Sequence, residues 1–215
     1  MLRQFYGGNA IKYLSPEKIK EADNWIRGHY LFLQHPDHKP TLEWLLGQAE
    51  TAVVRYGAKI IQIDPFNRLE AQREPMERET DYIGRCLRGV FQFAQQMQVH
   101  VQILAHPSKT DAYSHGKMPT LEDIHGSKHW DNMPDQGFSV WRPALYDDDG
   151  NRETYAELHH LKARYDDLGY PSRFGLNFDI DRQRFGTCQL RKKKPKTVKE
   201  EGQPPAPDPQ STIPG

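Results

Sequence analysis

Apolar residues recur along this chain with two periods, and the alternation between them predicts its elements. Ser15-Pro16-Glu17-Lys18 opens the first helix: Ser15 suits an N-cap, Pro16 the first helical turn, and Glu17 the positive end of the helix dipole. Ile19, Ala22 and Ile26 then share one side, so the helix should run to about Arg27, with Gly28 as its stop. Tyr30-Leu31-Phe32-Leu33 reads as a short buried strand. Thr41 caps a second helix whose apolar stripe is Leu42, Leu45, Leu46, Ala49, Ala52 and Val53, ended by Gly57. Lys59-Ile60-Ile61-Gln62-Ile63-Asp64 is the next strand. Glu79 to Gln98 follows as a long helix with Tyr82, Ile83, Leu87, Val90, Phe91 and Ala94 facing inward, and Val99 to Ala105 is another strand.

Strands alternating with helices at this spacing predict an α/β fold with a mainly parallel sheet, covered by helices on both faces. The pattern then changes. Phe138 to Arg142, Thr154 to Tyr165, Phe174 to Asp179 and Phe185 to Leu190 read as strands joined by short polar turns, with Asp147-Asp148-Asp149-Gly150-Asn151 the clearest turn. The sheet should therefore finish in antiparallel hairpins. From Arg191 the chain turns to Lys, Pro, Glu and Gln with little apolar surface to bury. Residues 1–190 read as one domain and 191–215 as a disordered, basic and Pro-rich tail.

Charge refines this picture. The 215 residues carry 29 Lys+Arg and 29 Asp+Glu, but six basic and three acidic residues fall from Arg191 onward. The folded part is thus slightly acidic, which excludes a domain-wide field for nucleic acid; any DNA contact must come from local loops. Two cysteines, Cys86 and Cys188, leave no spacing for a zinc site or a disulfide framework. The first residues lack the apolar run of a signal peptide, and no stretch is long enough to span a bilayer. A soluble, cytoplasmic protein without a membrane partner is expected.

Four segments carry candidate chemistry. Ile60-Ile61-Gln62-Ile63-Asp64-Pro65-Phe66-Asn67 ends a parallel strand in a carboxylate, at the sheet edge where open α/β proteins place ligands. Val101-Gln102-Ile103-Leu104-Ala105-His106-Pro107-Ser108-Lys109 ends a second strand in an imidazole at that same edge. The loop beyond it, to Pro119, holds Lys109, His115, Gly116 and Lys117, a composition suited to a DNA backbone. Thr120 through Trp130 enters a short helix by a Gly126-Ser127 turn; alone, this is an ordinary capped turn. In His160-Leu161-Lys162-Ala163-Arg164-Tyr165, strand alternation puts Lys162 and Arg164 on one face, expected at an exposed sheet edge.

Taken in order, these segments resemble the hexameric replicative DNA helicases of the DnaB, phage primase-helicase and mitochondrial Twinkle type, most closely the phage and prophage branch. The resemblance rests on Asp64-Pro65-Phe66-Asn67, Glu79-Thr80-Asp81-Tyr82-Ile83, Ala105-His106-Pro107-Ser108-Lys109, Pro119 through Trp130, and Lys162-Ala163-Arg164, and it spans roughly Leu2 to Leu190. It implies the C-terminal part of a RecA-like P-loop NTPase core, working with ATP and Mg2+. Asp64 would be the Walker B carboxylate, holding magnesium through water, with Asn67 beside it at the nucleotide. His106 would sense the terminal phosphate. Arg164 would be the arginine finger for the adjacent subunit, assisted by Lys162. Lys109, Lys117, Ser127 and Lys128 would face single-stranded DNA in the channel of a homo-oligomeric ring, expected to be a hexamer.

The chain departs from the family pattern in two places. Asn132-Met133-Pro134-Asp135-Gln136 follows the Trp where the family has Asn-Lys-Ala-Asp-Asn. No G-x-x-x-x-G-K-[ST] occurs, and the family's early catalytic glutamate belongs upstream of this start. Without a phosphate cradle the polypeptide alone is not expected to hydrolyse ATP. Two readings stay open: a helicase core lacking its N-terminal, Walker A unit, and a non-catalytic DNA-binding or assembly protein that keeps the scaffold.

Overall fold

The computed structural model describes residues 14–107, 117–124, 128–144, 146 and 150–191. Helix α1 spans Pro16–His29, with the Ser15 hydroxyl accepting from the Lys18 N–H; it passes through Gly28, a residue that weakens a helix without obliging it to stop. Helix α2 spans Leu42–Tyr56, between the Thr41 cap and a left-handed Gly57. Strand β1 (Ile60–Ile63), helix α3 (Glu79–Met97) and strand β2 (His100–Ile103) follow. After the short helix α4 (His129–Asn132) come β3 (Gln136–Trp141), β4 (Tyr155–Ala163), β5 (Ser172–Asp179) and β6 (Arg184–Cys188).

The strands form two sheets. β1 and β2 pair in parallel, Ile60 opposite His100 and Ile63 opposite Ile103. β3 to β6 form an antiparallel sheet in sequence order, with an irregularity between Gly137 and Phe138. The expected parallel start and antiparallel finish are both present. The Asp147–Asn151 turn lies partly outside the described residues, but Tyr146 and Arg152 bridge across its base.

One face of β1 is covered. Ile63 packs with Leu42, Tyr82, Ile83, Val90 and Trp130, and Ile61 packs with Ala49 and Phe93. Burial at about 25 cal/mol per Å2 of apolar surface is what holds α2 and α3 against the strand. It also pushes the Tyr82 hydroxyl up to about 12 and raises the Cys86 thiol. The other face is bare: Ile60 is 65% exposed, and Gln62, His100 and Gln102 are exposed. Of the cover on both faces expected from the βαβ pattern, the described residues supply that on one face.

Two further expectations are corrected. Tyr30–Leu33 forms no strand among the described residues; it is extended at Tyr30, and all four residues are exposed. Among the described residues its apolar sequence has no strand to pair with, and a strand without a ladder has nothing to offset its ordering entropy. On α3 the inward residue is Phe93, whereas Phe91 is 37% exposed. The buried stripe Tyr82, Ile83, Cys86, Leu87, Val90 and Phe93 keeps helical spacing, and Phe91 falls beside it.

Candidate functional site

The site grows out of the parallel pair. The ladder of β1 and β2 continues past the strand ends, through Leu104 N–H donating to Ile63 O and Phe66 N–H donating to Leu104 O, each at 2.9 Å. Asp64 follows β1 and His106 closes the short exit from β2, so parallel pairing brings both to one edge of the sheet. That places this expected pair together. Both residues are exposed, and Gln62 Nε2 reaches one Asp64 carboxylate oxygen at 3.4 Å.

Between them the chain makes a tight 3-10 turn, Phe66–Arg68, which follows a cis Asp64–Pro65 peptide. Phe66 is its buried anchor, edge-on to Trp130 of α4 at 5.0 Å between ring centres. Asn67 sits in the middle of the turn. Its Oδ1 accepts the His106 N–H at 2.9 Å, a side-chain rung added where the backbone ladder stops. Phe66, Asn67, Arg73, Glu79, Tyr82 and Trp130 border a cavity of about 220 Å3 at this corner. The Trp130 Nε1 is buried and has no partner among the described residues.

Lys162 and Arg164 depart from expectation. β4 is an inner strand between β3 and β5, not an exposed edge, and both cations turn onto α4 and the loop after it. Lys162 Nζ donates to Asp131 O. Arg164 Nη2 donates to Asn132 O at 2.7 Å and Met133 O at 2.8 Å, and its Nε lies 3.3 Å from an Asp135 carboxylate oxygen. The carbonyls at a helix C-terminus lack helical partners and carry partial negative charge, so cations settle there. Arg164 Nη1 is left without a partner among the described residues, and the side chain is 34% exposed.

Of the expected DNA-facing residues, Lys109 and Ser127 lie outside the described residues. Lys117 and Lys128 are exposed. The Asp123 carboxyl is held below the ordinary carboxylate range first by the Thr120 N–H and then by the Thr120 hydroxyl, with Lys117 adding to the effect. This fixes the 3-10 turn Leu121–Asp123 that leads toward α4.

A resident metal cage is not assembled: no three His, Cys, Asp or Glu residues converge among the described residues. Mg2+ held by one carboxylate, with waters and phosphate oxygens filling its octahedron, needs no such cage, and the exposed Asp64 carboxylate, bonded among the described residues at one oxygen by Gln62, can make that contact. No G-x-x-x-x-G-K-[ST] motif occurs in the 215 residues.

Sequence reading missed a second polar constellation, on β4 and the residues just before it. Glu153, Tyr155, Glu157 and His159 recur at strand period on one face, and the first three are buried. The Tyr155 hydroxyl donates to Glu157 Oε1 at 2.8 Å, and His159 Nε2 is 2.8 Å from Glu157 Oε2. Arg191 closes the chain of contacts, bonding Glu153 at 2.5 and 3.1 Å, with its guanidinium 4.4 Å over the Tyr155 ring. The alternation of polar residues was the signal available; their direction into the fold was not.

No protein-family model matches the chain. Over 136 residues, 63% of its length, it is 35% identical to "Twinkle homolog protein, chloroplastic/mitochondrial" of Arabidopsis thaliana, of which it covers 19%. Among solved structures it is similar to "ATPase Domain of G40P" (TM-score 0.66, 19% identity, 82% of this chain and 62% of that one). It is likewise similar to a structure titled "The Structure Of A DnaB-Like Replicative Helicase And Its Interactions With Primase" (TM-score 0.65, 19% identity, 81% and 42%). The chain thus spans about a fifth of the Twinkle homolog and under two thirds of either solved chain. Its fold is that of the RecA-like ATPase domains of DnaB-like replicative helicases.

Proposed function

We propose that this chain is part of the motor of an ATP-dependent replicative DNA helicase of the DnaB and Twinkle kind. In the complete assembly that motor translocates on single-stranded DNA and separates the duplex, in a homo-oligomeric ring with nucleotide between subunits. The observation that carries the reading is the edge where Asp64 and His106 leave adjacent parallel strands, in a chain that is 35% identical over 136 residues to a Twinkle homolog. When bound, Mg2+ offsets the charge of the nucleotide phosphates. Asp64 would hold the ion through water. His106 would donate from its ring to a phosphate oxygen at the same edge. The unengaged Nη1 of Arg164 would reach the nucleotide of the neighbouring subunit, with Lys162 steadying α4 beneath it. Lys117 and Lys128 are exposed cations available to a DNA backbone.

One observation favours a second reading, a non-catalytic DNA-binding or assembly protein: no G-x-x-x-x-G-K-[ST] lies within the 215 residues. Single-stranded-DNA-stimulated ATP turnover separates the two. The polypeptide alone should give none. An assembly of this chain with a segment that carries a phosphate-binding loop should turn over ATP, and Asp64→Asn should abolish that turnover. Turnover unmoved by Asp64→Asn would overturn the helicase reading.

A further inference from the structure

The Asp64 edge holds one contact that goes beyond a nucleotide site. Parallel ladders bind through backbone groups alone, and this one stops at Phe66 N–H and Leu104 O. The next free donor on the β2 side is the His106 N–H, and it is taken by a side chain, Asn67 Oδ1, at 2.9 Å. The turn that supplies Asn67 is itself fixed: Arg68 N–H donates to Pro65 O at 3.2 Å, Leu69 N–H donates to Phe66 O at 3.0 Å, and the Phe66 ring is buried against Trp130. Asp64, Asn67 and His106 are therefore joined by one short path of bonds, although Asn67 and His106 are 39 residues apart in sequence.

We propose that Asn67 is a positioning residue: its side-chain carbonyl clasps the start of the β2 exit to the turn that follows Asp64, so that the carboxylate and the imidazole move as one body. This rests on the helicase reading for its purpose, because a residue that senses the terminal phosphate must hold a fixed position relative to the carboxylate that holds magnesium at the same nucleotide. It assigns Asn67 to geometry rather than to the nucleotide contact that its sequence position implies. Asparagine suits this clasp, since its carbonyl accepts as a backbone oxygen would, and it brings no second negative charge beside Asp64.

The test uses the whole 215-residue chain without nucleotide, so its outcome is independent of whether the helicase reading holds. Amide hydrogen exchange at His106 is followed in wild type, Asn67→Ala and Asn67→Asp. The expected result is protection in wild type that falls about three- to tenfold in Asn67→Ala, the scale of one net hydrogen bond. In Asn67→Asp, whose carboxylate can still accept, protection is kept. A double-mutant cycle supplies the readout that a general loosening of the fold would not move. Asp64→Asn should shift the His106 amide resonance in the wild-type and Asn67→Asp backgrounds, and leave it in place in Asn67→Ala. Equal exchange in wild type and Asn67→Ala, or an Asp64→Asn effect that persists in Asn67→Ala, overturns the proposal. Should Asn67→Ala fail to fold, loss of His106 protection in folded Asn67→Asp overturns it and retained protection supports it.

Discussion

The two halves of the sheet system present their candidate residues in opposite ways. At the ends of β1 and β2, Asp64 and His106 are exposed and few bonds hold their side chains. At the end of β4, Lys162 and Arg164 are bound to four residues of their own chain, Asp131, Asn132, Met133 and Asp135. In the first region topology does most of the placing, through two parallel strands, one register and one edge, and a single side-chain bond, from the His106 N–H to Asn67 Oδ1, is added to it. In the second, side chains do it, and the same bonds that aim the cations also cap α4. Residues placed by topology are open to replacement without harm to the fold. Residues that place themselves by bonding serve structure and chemistry together.

The largest expected effect follows from that double service. In an assembly that hydrolyses ATP, Arg164→Ala should lower turnover by about a thousandfold or more, as loss of an arginine finger does, while nucleotide affinity changes much less. In the chain by itself the same substitution should cost about 1–3 kcal/mol in urea denaturation, because the Asn132 and Met133 carbonyls lose a charged donor. A stability loss with turnover intact removes the finger and keeps the cap. Lost turnover with stability intact does the reverse, and either result breaks the contrast between the two regions.

The next effect sharpens the other side. β1 has one covered face and one bare one, so neighbouring isoleucines should answer differently to the same change. Ile63→Ala, at 1% exposed, should cost about 2–5 kcal/mol through lost burial and the cavity left against Leu42 and Tyr82. Ile60→Ala, at 65% exposed, should stay within about 0.5 kcal/mol. Chemical denaturation of the two variants side by side measures the difference. A large loss at Ile60 would mean that its face is covered in solution.

How far the sequence could be read follows the same division. The α2, α3, β1 and β2 positions were legible because burial imposes periods on sequence, and Asp64 and His106 were legible because a strand end is visible in that period. The parallel-to-antiparallel change was legible from turn residues. Tyr30–Leu33 was not, since an apolar run states what a segment would bury and is silent on whether a partner strand stands beside it. The Lys162 and Arg164 contacts were hidden too: alternation gave them a shared face, but their acceptors are backbone carbonyls, which every residue has. Asn67 shows the limit most plainly. Its identity was conspicuous, yet its partner is an amide N–H, and no sequence pattern marks which one.

The smallest effect concerns where the antiparallel half ends. Composition set the tail at Arg191, but Arg191 bonds Glu153, and its own N–H donates to the Tyr155 hydroxyl at 3.1 Å. The carbonyls of Cys188 and Gln189 lie 2.8 Å from where a Cβ on Gly175 would stand, so the chain leaving β6 passes close over β5 at a residue with no side chain. The Arg191 guanidinium first, and the Tyr155 N–H after it, hold the Glu153 carboxyl below its ordinary 4.5, against the opposing effect of burial. A carboxyl lowered on folding contributes stability that is complete above about 4.5 and fades as pH falls through the lower folded value. Arg191→Ala removes the leading cause. At pH 7 it should cost about 1 kcal/mol, the scale of an ion pair with one exposed partner, and that cost should shrink toward zero as Glu153 takes up its proton. Urea midpoints for wild type and variant should therefore converge on acidification from pH 5 downward, even as other carboxylates such as Asp123 and Asp179 lower both curves together. Superimposed curves at every pH would put Arg191 outside the energetics of the fold and return the end of the folded unit to Leu190.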